Sequence, residues 1–336
     1  MLAGLTATLG LAYSDDSKDV SGDITIIDAF AALPLEAAGL GALSGLQFFP
    51  AFRNYPNADE DGKFDSDDVT HTLSLAYAIS DNTSIYATHS SGFKATSVNM
   101  TVDARDVRAA GPEDATNYEI GLKTTFDNGY INLAYFDQNI EGFQSNAFSG
   151  TGFNLVNAGK ESHKGVELDS MLALSENLML RISAMQLDAV YDSFEKGTCD
   201  TTGLAEPEYQ CPAGQPYVDL SGLNPAGIHD LSANANIVYS FNLGGALDGF
   251  ARLEYVYEEN TNLADLIPVS IAERGFKNVN ASLGFNADNW SVMFWGRNIT
   301  DHETLYSAFP TTAAPGSFSG YPSAPSTYGV TFKMNL

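Results

Sequence analysis

Successive short segments of this chain alternate apolar and polar residues with a period of two, and the connections between them alternate in length. Side chains of an extended strand point to opposite faces in turn, so each segment reads as a strand with one apolar and one polar face. The clearest is 326–336. There Tyr328, Val330, Phe332, Met334 and Leu336 share one face, and Gly329, Thr331, Lys333 and Asn335 the other. A soluble sandwich would bury that apolar face against a second sheet. A membrane barrel would turn it to lipid and keep the polar face in a wet lumen. This strand alone leaves both architectures open.

Along the chain the pattern predicts about twelve strands. The first covers about 3–14, with Leu5, Ala7, Leu9, Leu11 and Tyr13 on one face. The second, about 70–79, turns at Ser80-Asp81-Asn82 into a third, about 83–92. The fourth, carrying Tyr118, Ile120, Leu122 and Phe126, turns at Asp127-Asn128-Gly129 into a fifth. Asn-Gly is a strong hairpin signal. Similar pairs meet at Ser175-Glu176-Asn177, in the Gly-rich 242–249 and at Asn286–Asn289. Long connections separate the pairs, among them about 93–114, 141–160, 192–228 and 301–325. Outer-membrane barrels sort their connections in this way, tight turns at one rim and long loops at the other. Sandwiches have no reason to do so. The polar faces carry Glu119, Lys123, Glu167, Arg181, Arg252, Glu254, Arg297 and Lys333, which need water. The fold class expected is therefore all-β, an antiparallel transmembrane β-barrel.

The composition narrows the partners. The chain has 42 acidic against 16 basic residues and a net charge of −26, which argues against nucleic acid. It contains no run of 18 apolar residues, so no transmembrane helix is expected, although barrel strands escape that test. Met1–Ala12 is apolar without a preceding Lys or Arg, so it reads as a strand rather than a signal peptide. On that reading the chain begins inside a domain with no targeting sequence. Cys199 and Cys211 lie in one polar segment with no His partners, and suit a loop disulfide in an oxidising compartment better than a metal site. Two free thiols are the alternative. The five His are scattered, and no His-Glu-x-x-His or Gly-x-Ser-x-Gly motif occurs, so no enzyme is expected. His89 beside Ser90 and Ser91 is the one hint of chemistry, and adjacent strand residues face opposite ways.

Several segments resemble the family of TonB-dependent outer-membrane receptors. These are Ser91-Gly92-Phe93-Lys94-Ala95, Asn117-Tyr118-Glu119-Ile120-Gly121-Leu122-Lys123, Gly165-Val166-Glu167, Asp219-Leu220-Ser221-Gly222 and Arg297-Asn298-Ile299-Thr300-Asp301, followed by Tyr306 and Tyr328-Gly329-Val330. Each is short, but their order spans residues 1–336. The resemblance implies a bacterial outer-membrane location and energised uptake of a scarce solute, most often a ferric siderophore. It also implies coupling to the TonB/ExbB/ExbD system through a plug domain. The family's plug and TonB-contacting box have no counterpart here, and its barrels have twenty-two strands. The chain thus looks like the C-terminal part of such a receptor, about the last 12 strands. Leu336 stands where the family usually ends in an aromatic residue. The alternatives are a passive porin or an autotransporter-type barrel.

Two groups of residues are candidates for ligands. Residues 57–68 resemble a calcium loop, with oxygen donors at Asn57, Asp59, Asp61, Asp65 and Asp68 and Gly62 at the sharp turn. With Asn57 in place of the usual Asp, Asp68 in place of the bidentate Glu and no flanking helices, the stretch reads better as a solvated acidic outer loop. Phe48, Phe49, Phe52, Arg53 and Tyr55 cluster in the first long loop, and Phe143, Gln144, Phe148 and Phe153 in the third. Such aromatics could grip a ligand, with Arg53 facing an anionic chelate, or could belong to interfacial girdles and loop packing.

Overall fold

The computed structural model describes residues 4–21, 33–35, 37–40, 62–98, 109–148, 153–200, 203, 205–213, 217–264, 267, 273–311, 314 and 316–335. Twelve long strands run through them: β1 (Leu5–Val20), β2 (Gly62–Ser80), β3 (Thr83–Lys94), β4 (Glu113–Phe126), β5 (Gly129–Glu141) and β6 (Lys160–Ser175), then β7 (Leu178–Ser193), β8 (Leu231–Asn242), β9 (Asp248–Asn262), β10 (Glu273–Asn286), β11 (Trp290–Arg297) and β12 (Thr327–Met334). They form one sheet in which every strand pairs only with its neighbours in sequence. All eleven pairings are antiparallel. The tight connections, 81–82, 127–128, 176–177, 243–247 and 287–289, lie at one rim. The long ones lie at the other and carry four two-stranded hairpins of their own. Among the described residues no helix is long and apolar enough to cross a membrane, which says nothing of a β-barrel.

Register aligns the apolar residues across the sheet. Leu11 lies opposite His71, Leu73 opposite His89, Ile120 opposite Tyr135, and Leu283 opposite Phe294, which faces Val330. The apolar face so made is open. Leu9, Leu11, Tyr13, Ile120, Tyr328, Val330 and Phe332 are all more than half exposed. Soluble proteins rarely expose a contiguous apolar patch above a few hundred Å². Among the described residues no second sheet covers this one, so the sandwich is ruled out and the apolar face requires an apolar solvent.

The sequence reading stopped the first two strands too early. It ended the first near residue 14 and began the second near 70, whereas the ladder continues to Val20 opposite Gly62. Beyond Tyr13 and Val69 both faces turn to Asp, Ser and Lys, so the apolar alternation vanishes while the backbone pairing goes on. This corrects the calcium loop. Gly62 is not a sharp turn but the first residue of a strand. Asp65 and Asp68 lie in an unbroken register opposite Ser17 and Ser14 and project to opposite faces, so they cannot share an ion. Asn57, Asp59 and Asp61 lie outside the described residues, as do Phe48, Phe49, Phe52, Arg53 and Tyr55.

Along the ladder, glycine recurs directly opposite an aromatic ring. Tyr86 faces Gly121, Phe136 faces Gly165, Phe250 faces Gly284 and Trp295 faces Gly329. A Cβ added at Gly121, Gly284 or Gly329 would meet the ring at 2.4, 2.2 or 2.2 Å. Each ring therefore lies flat over its partner's backbone and fills the gap that the glycine leaves. Gly129 differs, because its added Cβ would meet the Met171 carbonyl oxygen at 1.9 Å, and that backbone has no rotamer to change. Gly129→Ala is expected to destabilise the sheet by about 1–3 kcal/mol. Gly62→Ala, which meets nothing within 4 Å, should be neutral. The check is the temperature at which the folded band is lost on a detergent gel.

Candidate functional site: the polar face and its outer cap

The polar face is a chain of paired charges. The Tyr86 hydroxyl donates to Glu119 Oε1 at 2.5 Å, and the Lys123 ammonium lies 5.1 Å from the centre of the Tyr86 ring. This follows from the register: opposite Gly121, the tyrosine is flanked by Glu119 and Lys123 on β4. Further along, Arg252 donates to Glu254 at 3.0 Å and Asn280 Nδ2 donates to the other carboxylate oxygen at 3.0 Å. Trp295 Nε1 donates to Thr331 at 3.2 Å, with the Arg297 guanidinium 5.2 Å above its ring. Arg252, Glu254, Asn280, Trp295, Arg297 and Thr331 line a concavity of about 380 Å³. Lys123, Arg252 and Arg297 each have a carboxylate or an aromatic face beside them, so this part of the wall is wet and polar with its cations partnered.

The buried apolar side chains gather in the long connections and at the strand ends beside them. Tyr191 and Ala158 pack with Phe194, Ala205, Tyr209 and Leu220, and Phe143 and Val156 lie against them. Cys199 and Cys211 are joined as a disulfide within this cap, with Cα atoms 4.9 Å apart. The backbone reinforces the link: Asp200 N–H donates to the Tyr209 carbonyl at 2.7 Å, and Cys211 N–H to that of Asp200 at 2.9 Å. At the far end of the cap, hydrogen bonds from the Ser221 hydroxyl and N–H hold the exposed Asp219 carboxyl below the usual carboxylate range.

The same packing decides the role of two proposed ligand contacts. Gln144 is 5% exposed. Its amide hydrogens are spent within the protein, with Nε2 donating to the carbonyls of Gly111 (2.8 Å) and Ala95 (3.1 Å). Its Oε1 accepts from Ser97 at 2.8 Å, and its N–H donates to Glu113 Oε2 at 2.9 Å. Gln144 is therefore a knot between two connections, its own and the one from β3 to β4, and both of its amide hydrogens are spent there. Phe143 packs on the cap core. Phe148 stands opposite Phe153 at the tip of the hairpin Gln144–Phe148/Phe153–Asn157, and their side chains lie outside what is described.

Two titratable clusters went unread in the sequence. Glu161 is 1% exposed, and its Oε1 lies 2.7 Å from His163 Nε2. Residues two apart on a strand share a face, so the pair becomes legible once the strand is extended back to Lys160. Glu258 takes Arg274 Nη2 at 3.1 Å and His229 Nε2 at 3.3 Å, a triad assembled from β9, β10 and a loop that no local pattern announces.

The Arg297-Asn298-Ile299-Thr300-Asp301 segment turns the chain out of β11. Asn298 and Asp301 hold positive φ, 48° and 52°, a conformation that Asn and Asp tolerate better than most residues. Asn298, 4% exposed, accepts the His302 N–H at 2.9 Å and donates to the carbonyls of His302 and Ala324, each at 3.1 Å. Asp301 accepts the Ser326 N–H at 2.8 Å. The motif thus ties both ends of the last long connection together. Asn298→Ala would leave those backbone groups unpaired and is expected to cost about 1–3 kcal/mol. Asn298→Asp, which keeps the acceptor, should fall between. Denaturant unfolding with limited proteolysis of 298–326 checks both. In the cap, peptide mass spectrometry without reductant is expected to find Cys199 and Cys211 in one linked species, and two free thiols would contradict it.

Residues 2–299 match the sequence model of the family described as TonB dependent receptor-like, beta-barrel. Among solved structures, the siderophore receptor PiuA from Acinetobacter baumannii superposes with a TM-score of 0.62 at 16% identity, over 98% of this chain and 40% of that one. The copper transporter OprC gives 0.64 at 13% identity, over 99% and 46%. The ferric yersiniabactin uptake receptor FyuA from Yersinia pestis gives 0.60 at 16% identity, over 82% and 39%. At such identities the likeness concerns the fold alone, and this chain spans less than half the length of each. The family match covers most of the sequence and eleven of the twelve strands of the sheet, and this chain belongs to the TonB-dependent receptor-like β-barrel family.

Proposed function

We propose that this chain forms part of the wall of a bacterial outer-membrane receptor for energised uptake of a scarce solute, a ferric siderophore complex. The observation that carries the reading is the sheet's two-facedness. One face is apolar and open over all twelve strands, as hydrocarbon requires, and the other presents Glu119, Lys123, Arg252, Glu254 and Arg297, as a wet lumen requires. Family membership supports receptor over passive pore. The similar structures are described as siderophore receptors and a copper transporter, so metal-bearing solutes are their common ground.

The outer edges of β1 and β12 have no partner among the described residues. Unpaired backbone groups in hydrocarbon cost several kcal/mol each, so the two edges must either meet further strands or close on each other, and the family's larger barrels favour further strands. Residues 1–336 are on this view the C-terminal portion of a barrel domain of twenty-two strands. TonB, with ExbB and ExbD, would act through a plug domain that these strands do not include. Accumulation of radiolabelled ferric siderophores in a receptor-deficient strain tests the proposal. The barrel completed with its plug should support uptake that disappears on deleting tonB, and residues 1–336 alone should support none. Uptake that persists without TonB would replace the receptor with a porin.

A further inference from the structure

The polar face of β6 and β7 changes character as the strands climb towards the long connections. Residues directly opposite in an antiparallel pair share a face, so Asp169, Glu167, His163 and Glu161 lie on one side with Ser183, Met185, Ala189 and Tyr191. This is the face read above as the wall of a lumen. Low on the wall Asp169, Glu167 and Ser183 are exposed. Near the long-loop rim Ala189 is 2% exposed, Tyr191 5% and Glu161 1%. On the other face of the same segment Lys164, Asp188 and Asp192 stay exposed. The inner residues are buried by the cap, where Tyr191 packs with Ala158 of the β5–β6 connection and with Phe194, Tyr209 and Leu220 of the β7–β8 connection. Both connections therefore fold inward across the polar face.

Beneath this cover Glu161 fits its place badly. Its Oε1 meets His163 Nε2 at 2.7 Å, but its Oε2 is buried with no hydrogen-bond partner among the described residues. Opposite Glu161 stand Tyr191 and Ile140, and neither is a cation. Lys160 and Lys164 on the same strand are engaged by Glu141 at 3.8 Å and Asp137 at 3.3 Å. A buried carboxylate with an unmet oxygen is costly, and the cost vanishes once water reaches it. Lifting the cap would wet this face, so Glu161 weighs against the covered state. The disulfide encloses Ala205 and Tyr209, which lets segment 199–211 keep its shape whether or not the cap is seated.

We propose that the β5–β6 and β7–β8 connections form a lid over the lumen beside β6 and β7, and that Glu161 sets how readily this lid lifts to admit solute. The proposal rests on the receptor reading given above. In this role Glu161 touches no solute. It shifts the balance between seated and lifted lid through the free energy of the seated state alone.

Ala189 reports on the lid, because it lies on the covered face. Ala189→Cys adds a free thiol to a chain whose own cysteines are bonded to each other. In intact cells carrying the receptor completed with its plug, a membrane-impermeant maleimide reaches that thiol only when the lid lifts. Glu208→Cys, exposed on the cap, is the reference. Ala189→Cys should label about tenfold or more below Glu208→Cys, and adding Glu161→Gln should slow it about tenfold further, the effect of about one unmet hydrogen bond. Glu161→Leu, which removes the polar group outright, should slow it in the same direction and leave Glu208→Cys labelling unchanged. Hydrogen exchange of the Tyr191 and Leu220 amides, bonded to the carbonyls of Leu223 and Phe194, should slow in parallel. Equal labelling of Ala189→Cys and Glu208→Cys would overturn the lid. Labelling of Ala189→Cys that is unchanged or faster in both Glu161 variants would overturn the control by Glu161. Either result leaves the receptor reading standing. Absence of labelling at Glu208→Cys would place this rim away from the cell exterior and overturn the receptor reading as well.

Discussion

The structure depends on one constraint, that backbone amides and carbonyls facing hydrocarbon must be paired within the protein. A sheet meets it only if each strand finds both neighbours, and the simplest way is to pair each with the next in sequence, as these strands do, with only the outer edges of β1 and β12 left without a partner among the described residues. Sequential antiparallel pairing in turn sorts the connections, tight at one rim and long at the other. Once the long connections are gathered at one rim they can build a core of their own, around Tyr191, Phe194, Tyr209 and Leu220. The sheet has no such core because its apolar side chains point outward.

The same constraint explains what could be read in the sequence. Strands such as 118–126 and 328–334 were legible because apolar solvent on one face and water on the other impose a strict period of two. Where both faces meet water the period carries no information, and the outer halves of β1 and β2 were therefore taken for an acidic loop. Asn128-Gly129 announced its hairpin because the turn itself selects those residues. The cross-strand partners of the glycines were not legible, since a glycine and the ring above it belong to different strands.

The sites were less legible than the fold. Gln144 and Phe143 drew notice as polar and aromatic residues in a long connection, and such residues serve a ligand or the loop's own packing with the same chemistry. Only the burial of Gln144 and its satisfied amide tell the two apart. Arg297–Asp301 gave a strong signal and was structural, holding positive φ and bonding Ala324 and Ser326. His89 and Ser91 were the reverse case. They were compared as sequence neighbours on opposite faces, whereas hydrogen bonds join residues two apart, His89 and Ser91, to His71 on another strand.

On the receptor reading proposed above, a polar wall that conducts a large solute must not hold it. Free cations lining the lumen would trap an anionic chelate, and free carboxylates would compete for its metal. The pairing of Glu254 with Arg252 and Asn280, and of Arg297 with Trp295, lessens both hazards along β9 to β11 while keeping the surface hydrated. On that reading selectivity would fall to the long connections, where the disulfide and the Gln144 hydrogen bonds limit how far the loops can rearrange. The division follows from the register. Residues two apart on one strand and directly opposite on the next lie close enough to pair along the wall, whereas the cap draws its contacts from segments far apart in sequence.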